Sequence, residues 1–116
     1  MSTIKDKNLA TIGQQEVDWA ARQMKVLEEI KTEFSSSKPL NGLNIGACMH
    51  VTKETANLML TLKAAGANVA LCASNPLSTK DSVAAYLSEN DIEVHAVHGV
   101  SNDDFFKHLN SVLDTK

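Results

Sequence analysis

The chain has 116 residues, a formal charge of −3, and 43% hydrophobic and 22% charged residues. That is an ordinary composition for one small globular domain with a single core. No stretch concentrates Lys and Arg, which excludes a nucleic-acid footprint. No apolar run reaches the length of a membrane span or forms a signal core, so a cytoplasmic protein with no nucleic-acid and no membrane partner is expected.

Residues 1–10 are polar and carry no firm signal. From Gln14 to Phe34 the apolar residues Val17, Ala20, Met24, Leu27, Ile30 and Phe34 recur at steps of three and four. Glu16, Arg22, Lys25, Glu29 and Glu33 fall on the opposite face, so the pattern predicts one long amphipathic helix. Ser35, Ser36, Ser37, Lys38 and Pro39 predict its irregular end. Leu43–Met49 is almost continuously apolar and predicts a parallel strand covered on both faces. A second helix is expected over Lys53–Ala65, closed by Gly66. Asn68–Ala73 reads as the second strand. After the loop Ser74–Leu77, Ser78 or Thr79 is expected to cap a third helix running to about Glu89. Asn90 and Asp91 turn the chain into a third strand, Ile92–Val97. Ser101, followed by Asp103 and Asp104, marks the start of a last helix with the apolar stripe Phe105, Leu109, Val112 and Leu113. Cys48 and Cys72 both fall inside predicted strands. Buried free thiols are expected, with a disulfide as the minor alternative.

The order is a helix followed by three strand–helix units. It predicts an α/β fold: a three-layer, Rossmann-like parallel sheet of three strands, with a long N-terminal helix and helices as crossovers. Residues 1–116 are expected to form a single domain. Parallel strands bring their C-terminal ends to one edge, where open α/β sheets bind ligands. Met49-His50-Val51-Thr52, Ser74-Asn75-Pro76 and His98-Gly99 should therefore meet.

Each candidate at this edge has a functional and a structural reading. His50 is either a proton donor or acceptor near neutral pH, or a packed histidine at a strand end. Thr52 suits the N-cap of the second helix, a role compatible with touching a ligand. Glu54 is either a solvated first-turn acid or an acceptor for an exocyclic amine or hydroxyl. Asn75 before Pro76 is a turn signal. His95 and His98 lie on opposite faces of a strand and make a poor metal pair, so no metal site is expected. His98 can reach the crevice, and His108 is expected to be exposed. There is no GxGxxG, no GxxxxGK[ST], no HExxH, no CxxC and no GxSxG, so no complete active site is encoded by a familiar fingerprint.

Several of these stretches together resemble one family. Glu16-Val17-Asp18-Trp19-Ala20, Ser37–Gly42, the elbow Gly46–Ala56 (GACMHVTKETA) and Ser74–Asp81 (SNPLSTKD) resemble the N-terminal part of the substrate-binding domain of adenosylhomocysteinases. The elbow is similar to the family's G-C-L-H-M-T-x-x-T-A. The resemblance spans nearly the whole chain. It implies reversible hydrolysis of S-adenosylhomocysteine to adenosine and homocysteine, through oxidation of the ribose 3′-hydroxyl by a tightly held NAD. On that resemblance His50 assists proton transfer near the 5′ position. Thr52 and Glu54, with Thr55, Asn75 and Thr79, would contact the nucleoside. Family members are usually tetramers, which implies a homo-oligomer or association with the rest of the enzyme.

Three features depart from the family pattern. Lys80 stands where Gln is usual, Met49 replaces a common Leu, and the chain ends before the family's next strand with its paired aspartates. The resemblance thus implies a front portion of a substrate domain without the NAD domain, expected to bind no NAD and to be inactive alone. The alternative is a stand-alone α/β nucleoside-binding or interaction module without catalysis.

Overall fold

The apolar stripe that starts near Val17 does form helix, but in two pieces. In the computed structural model, which describes residues 1–114, a 3-10 turn at Lys7–Leu9 leads into α1 (Ala10–Gln23) and then α2 (Lys25–Ser37). The Asp6 carboxylate accepts the Asn8 N–H at 2.9 Å and caps the turn. Between α1 and α2, Met24 adopts φ −113° and ψ 59°, breaking the single long helix that the periodicity predicts. α1 packs on both α3 (Lys53–Ala64) and α4 (Asp81–Glu89), whereas α2 packs on α3. The change of neighbour requires a change of direction that a continuous stripe does not reveal. Ser35 and Ser37 are helical rather than irregular. Their hydroxyls donate to the carbonyls of Lys31 and Glu33, four residues earlier, which keeps polar residues inside a helix. The helix ends at Lys38, whose φ of 45° is left-handed.

The strands are β1 (Asn44–Met49), β2 (Asn68–Ala73) and β3 (Glu93–His95), parallel and in the order β1-β2-β3. α3 and α4 are the crossovers. Val17, Met59, Val83 and Leu87 from α1, α3 and α4 pack on one sheet face against Val69, Leu71 and Val94. α5 (Asn102–Asp114) covers the other face through Val112 and Leu109, packed on Ala70 and Cys72. The architecture is the expected three-layer α/β sheet. Close approach of α1 to α4 depends on Gly13: a Cβ there would lie 1.9 Å from the Ser82 carbonyl oxygen. Gly66 ends α3 at φ +102°, a conformation suited to glycine.

Four expectations are corrected. β1 is not covered on both faces; it is an edge strand with no buried residue. Cys48 is accordingly exposed, and only Cys72 is a buried thiol. Strand three is three residues long, not Ile92–Val97. Beyond His95, the Ala96 N–H turns to the Thr3 carbonyl at 2.9 Å, and Thr3 N–H donates to Val94 O at 2.8 Å. The N-terminal segment, silent in the sequence, thus lies alongside β3, and the Met1 ammonium pairs with Glu93 at 2.9 Å. His108 is buried beside His95, with ring centroids 6.4 Å apart. It lies three residues after Phe105 and four before Val112, on the apolar stripe itself. Burial, and then the nearby His95, hold its pKa below the ordinary value.

Candidate functional site

The elbow after β1 is built by backbone pairing. Val51, fully buried, donates its N–H to Ser78 O at 2.8 Å and accepts the Lys80 N–H at 2.9 Å. This bridge clamps the loop after β2 along the elbow, so the first two strand ends meet as expected. The third joins through Gly99 N–H to Pro76 O at 2.7 Å and His98 N–H to Asp81 Oδ1 at 3.0 Å. Neither Ser78 nor Thr79 caps α4. Lys80 holds the N-cap position without a side-chain bond, because Ser78 Oγ is engaged with Asn75 and Thr79 is buried in the bridge.

His50 is exposed at the rim, its Nδ1 3.3 Å from Ser74 Oγ. One ring nitrogen is thereby oriented, and the pair can adopt either tautomer: Ser74 donates to Nδ1, or Nδ1–H donates to Ser74. Thr52 caps α3 as expected. Its Oγ1 accepts the Thr55 N–H at 3.4 Å and lies 3.4 Å from Thr55 Oγ1. Glu54 is exposed in the first turn of α3, with Lys53 Nζ 3.3 Å away. Glu54 and Thr55 share a cleft of about 630 Å³ with Met49, Leu58, Met24, Leu27 and Ile30. Most of its wall is apolar; Glu54 is its acidic group, and Gln23 and Lys25 also line it.

Asn75 serves its turn: Oδ1 accepts the Leu77 N–H at 2.8 Å. Thr79 lies apart from Glu54 and Thr55. It faces a separate cleft of about 470 Å³ with His98, Lys80, Asp81, Ser82 and Glu16, and its buried hydroxyl has no hydrogen-bond partner among the described residues. In that second cleft the Ser82 hydroxyl donates to Glu16, and Lys80 Nζ lies 3.6 Å from the same carboxylate. Glu16, read from periodicity as a solvent-face residue, therefore anchors α1 to the start of α4. Sequence reasoning also missed the role of Met24, Leu27 and Ile30. These stripe residues stay partly exposed and wall the Glu54 cleft. Among the described residues no group of three His, Cys, Asp or Glu side chains can hold a metal, and no helix is long and apolar enough to cross a membrane.

A family model described as S-adenosyl-L-homocysteine hydrolase matches residues 1–116. An adenosylhomocysteinase of Saccharolobus solfataricus is 50% identical over 110 residues, covering 95% of this chain and 26% of the relative. One from Aquifex aeolicus is 50% identical over 112 residues, with 96% and 27% covered. One from Pyrococcus abyssi is 43% identical over 113 residues, with 97% and 27% covered. The chain thus spans about a quarter of the length of the curated relatives it matches. With its whole length matched and half of its residues shared with named members, the chain belongs to the S-adenosyl-L-homocysteine hydrolase family.

Proposed function

We propose that the rim at His50, Thr52, Glu54 and Thr55 receives the nucleoside of an S-adenosylhomocysteine-type substrate, and that this chain supplies part of the substrate site of an adenosylhomocysteinase. The observation that carries this is one carboxylate, Glu54, in a largely apolar cleft that reaches Met49, the residue before the exposed His50. The volume is within the range of small-molecule sites. Met24, Leu27, Ile30, Met49 and Leu58 offer apolar contact to the faces of a purine. Glu54 accepts a hydrogen bond from an exocyclic amine, and its charge is favoured at the positive end of α3. The Thr55 hydroxyl adds a polar partner in the cleft, and the Thr52 hydroxyl lies 3.4 Å from it. His50, with Nδ1 oriented by Ser74, leaves Nε2 as a proton donor or acceptor toward a ligand. Asn75 and Thr79 act in this account by shaping the loop that clamps the elbow.

The family chemistry depends on NAD, which supplies hydride transfer when bound. The residues of this chain do not fit that group. Dinucleotide sites use a glycine-rich strand-to-helix turn with free backbone N–H groups. Here the turn is His50-Val51-Thr52, and the N–H groups of Val51, Thr52 and Thr55 are already bonded to Ser78, His50 and Thr52. NAD is therefore held by parts of the enzyme outside this match, and the 116 residues alone turn over no substrate. The open edge and exposed flank of β1, with Leu43 and Met49 at the surface, suit association with that remainder in a cytoplasmic homo-oligomer.

Titration of the ¹⁵N-labelled chain with adenosine tests the site. Shifts are expected at Met49–Leu58 and at Met24–Ile30. Shifts confined to Thr79, Lys80 and His98, or none at all, would refute the assignment and leave a purely structural or interaction module.

A further inference from the structure

Cys48 and Cys72 are register partners on the parallel pair β1–β2. In-register residues of neighbouring strands project from the same face. A strand spacing of about 4.8 Å puts their Cα atoms inside the roughly 4.4–6.8 Å that a disulfide spans. Cys48 Sγ donates to Ala73 O at 3.6 Å, the carbonyl of the residue after Cys72, so its side chain is directed toward β2. Their access differs sharply. In the 116-residue chain by itself Cys48 is exposed on the flank of β1, while Cys72 is 1% exposed in the cluster with Val112 and Leu109 of α5. A reachable thiol backed by a buried one is the arrangement of an attacking and a resolving cysteine.

We propose that Cys48 and Cys72 form a reversible dithiol–disulfide site whose oxidant is a low-molecular-weight disulfide. The Cys48 thiolate attacks one sulfur of the reagent. The reagent's S–S bond breaks, and one thiolate leaves with the electron pair and takes a proton from water. Cys72 then loses its proton and attacks Cys48 Sγ in the mixed disulfide, expelling the second reagent thiolate, which is protonated in turn. In sum, two protein thiols are oxidised to one disulfide and one reagent disulfide is reduced to two thiols. Burial holds the Cys72 thiol above its ordinary value. The closing step is therefore the slow one and accelerates as pH rises. Cβ atoms on adjacent strands sit nearer the strand spacing than the roughly 3.5–4.5 Å a disulfide prefers. The bond draws β1 and β2 together and stays easy to reduce. Cys48 precedes His50 by two residues and Cys72 precedes Ser74 by two, so closure acts directly on the strand ends that carry the His50–Ser74 contact.

The test is intact-mass spectrometry of the 116-residue chain incubated with 2-hydroxyethyl disulfide, followed by alkylation of remaining thiols. The expected product is a monomer about 2 Da lighter, with no alkylatable thiol, restored by reductant. Cys72→Ala should stop at a persistent mixed disulfide on Cys48, and Cys48→Ala should not react while folded. A wild-type chain that stops at a stable mixed disulfide, forms disulfide-linked dimers, or keeps both thiols free would overturn the proposal. The wild-type readout stands even where a variant fails to fold.

Discussion

β1 and β2 are near twins in sequence and opposites in environment. Each has six residues, each begins with Asn, and each carries Cys in the fifth place: NIGACM and NVALCA. β2 buries every residue after Asn68, whereas β1 buries none. The cause is position. β2 has a strand on either side and helices over both faces, while β1 has an open edge and only partial cover from α5. Apolar composition states that a strand can be buried, not what buries it. In the proposed function the division has a counterpart: the exposed strand ends in His50 and the elbow, and the covered strand is the platform behind them.

The contrast can be broken most forcefully at Leu71, fully buried in β2. Leu71→Ala should cost about 2–5 kcal/mol in urea unfolding, through lost burial and the cavity left behind. Met49→Ala on β1, 36% exposed, should cost less than about 1 kcal/mol. Equal losses would mean β1 is as structural as β2. A smaller effect is expected at Thr52, where removing the cap hydroxyl should lower stability by about 0.5–1 kcal/mol, the low end of cap effects given its 3.4 Å bond. The smallest is a pH effect on the cover of β2. His108 has its folded pKa depressed from 6.5 by burial and by His95. Its contribution is fully present above 6.5 and is lost as pH falls from there through the folded value, where the ring must charge. Glu93 faces the same cluster, bonded to the Met1 ammonium and to His95 Nε2. Those two partners lower its pKa, so its own contribution fades only below its ordinary 4.5. Thermal melts of the wild type should therefore weaken between pH 6.5 and 5 more than those of His108→Gln. Parallel curves would remove His108 from the account.

Much of the frame is legible in the sequence because it depends on local signals. Gly66, the Thr52 cap and the Ser101 cap, whose Oγ accepts the Asp104 N–H at 3.2 Å, mark helix ends by backbone chemistry alone. The strand–helix alternation then dictates the parallel sheet. What escapes notice depends on distant partners. The bend at Met24 follows from which helices α1 and α2 meet, and the exposure of Cys48 from where α5 lies. Thr79 looks like a cap until Val51 bridges to it. At the proposed rim, the cap role of Thr52 and the first-turn place of Glu54 are legible from the elbow, as is the strand-end place of His50. The apolar wall of Met24, Leu27 and Ile30 is not, because a stripe that lines a cleft has the same period as one that fills a core.

The central claim is that the weakly covered elbow is a nucleoside rim with Glu54 as its polar anchor. Calorimetric titration of adenosine into the wild type and into Glu54→Gln tests it most directly. Loss of a charge-assisted hydrogen bond predicts binding at least about tenfold weaker in the variant, with the unfolding midpoint lowered only by the small loss of a first-turn charge. Equal affinity of the two proteins for adenosine would contradict it.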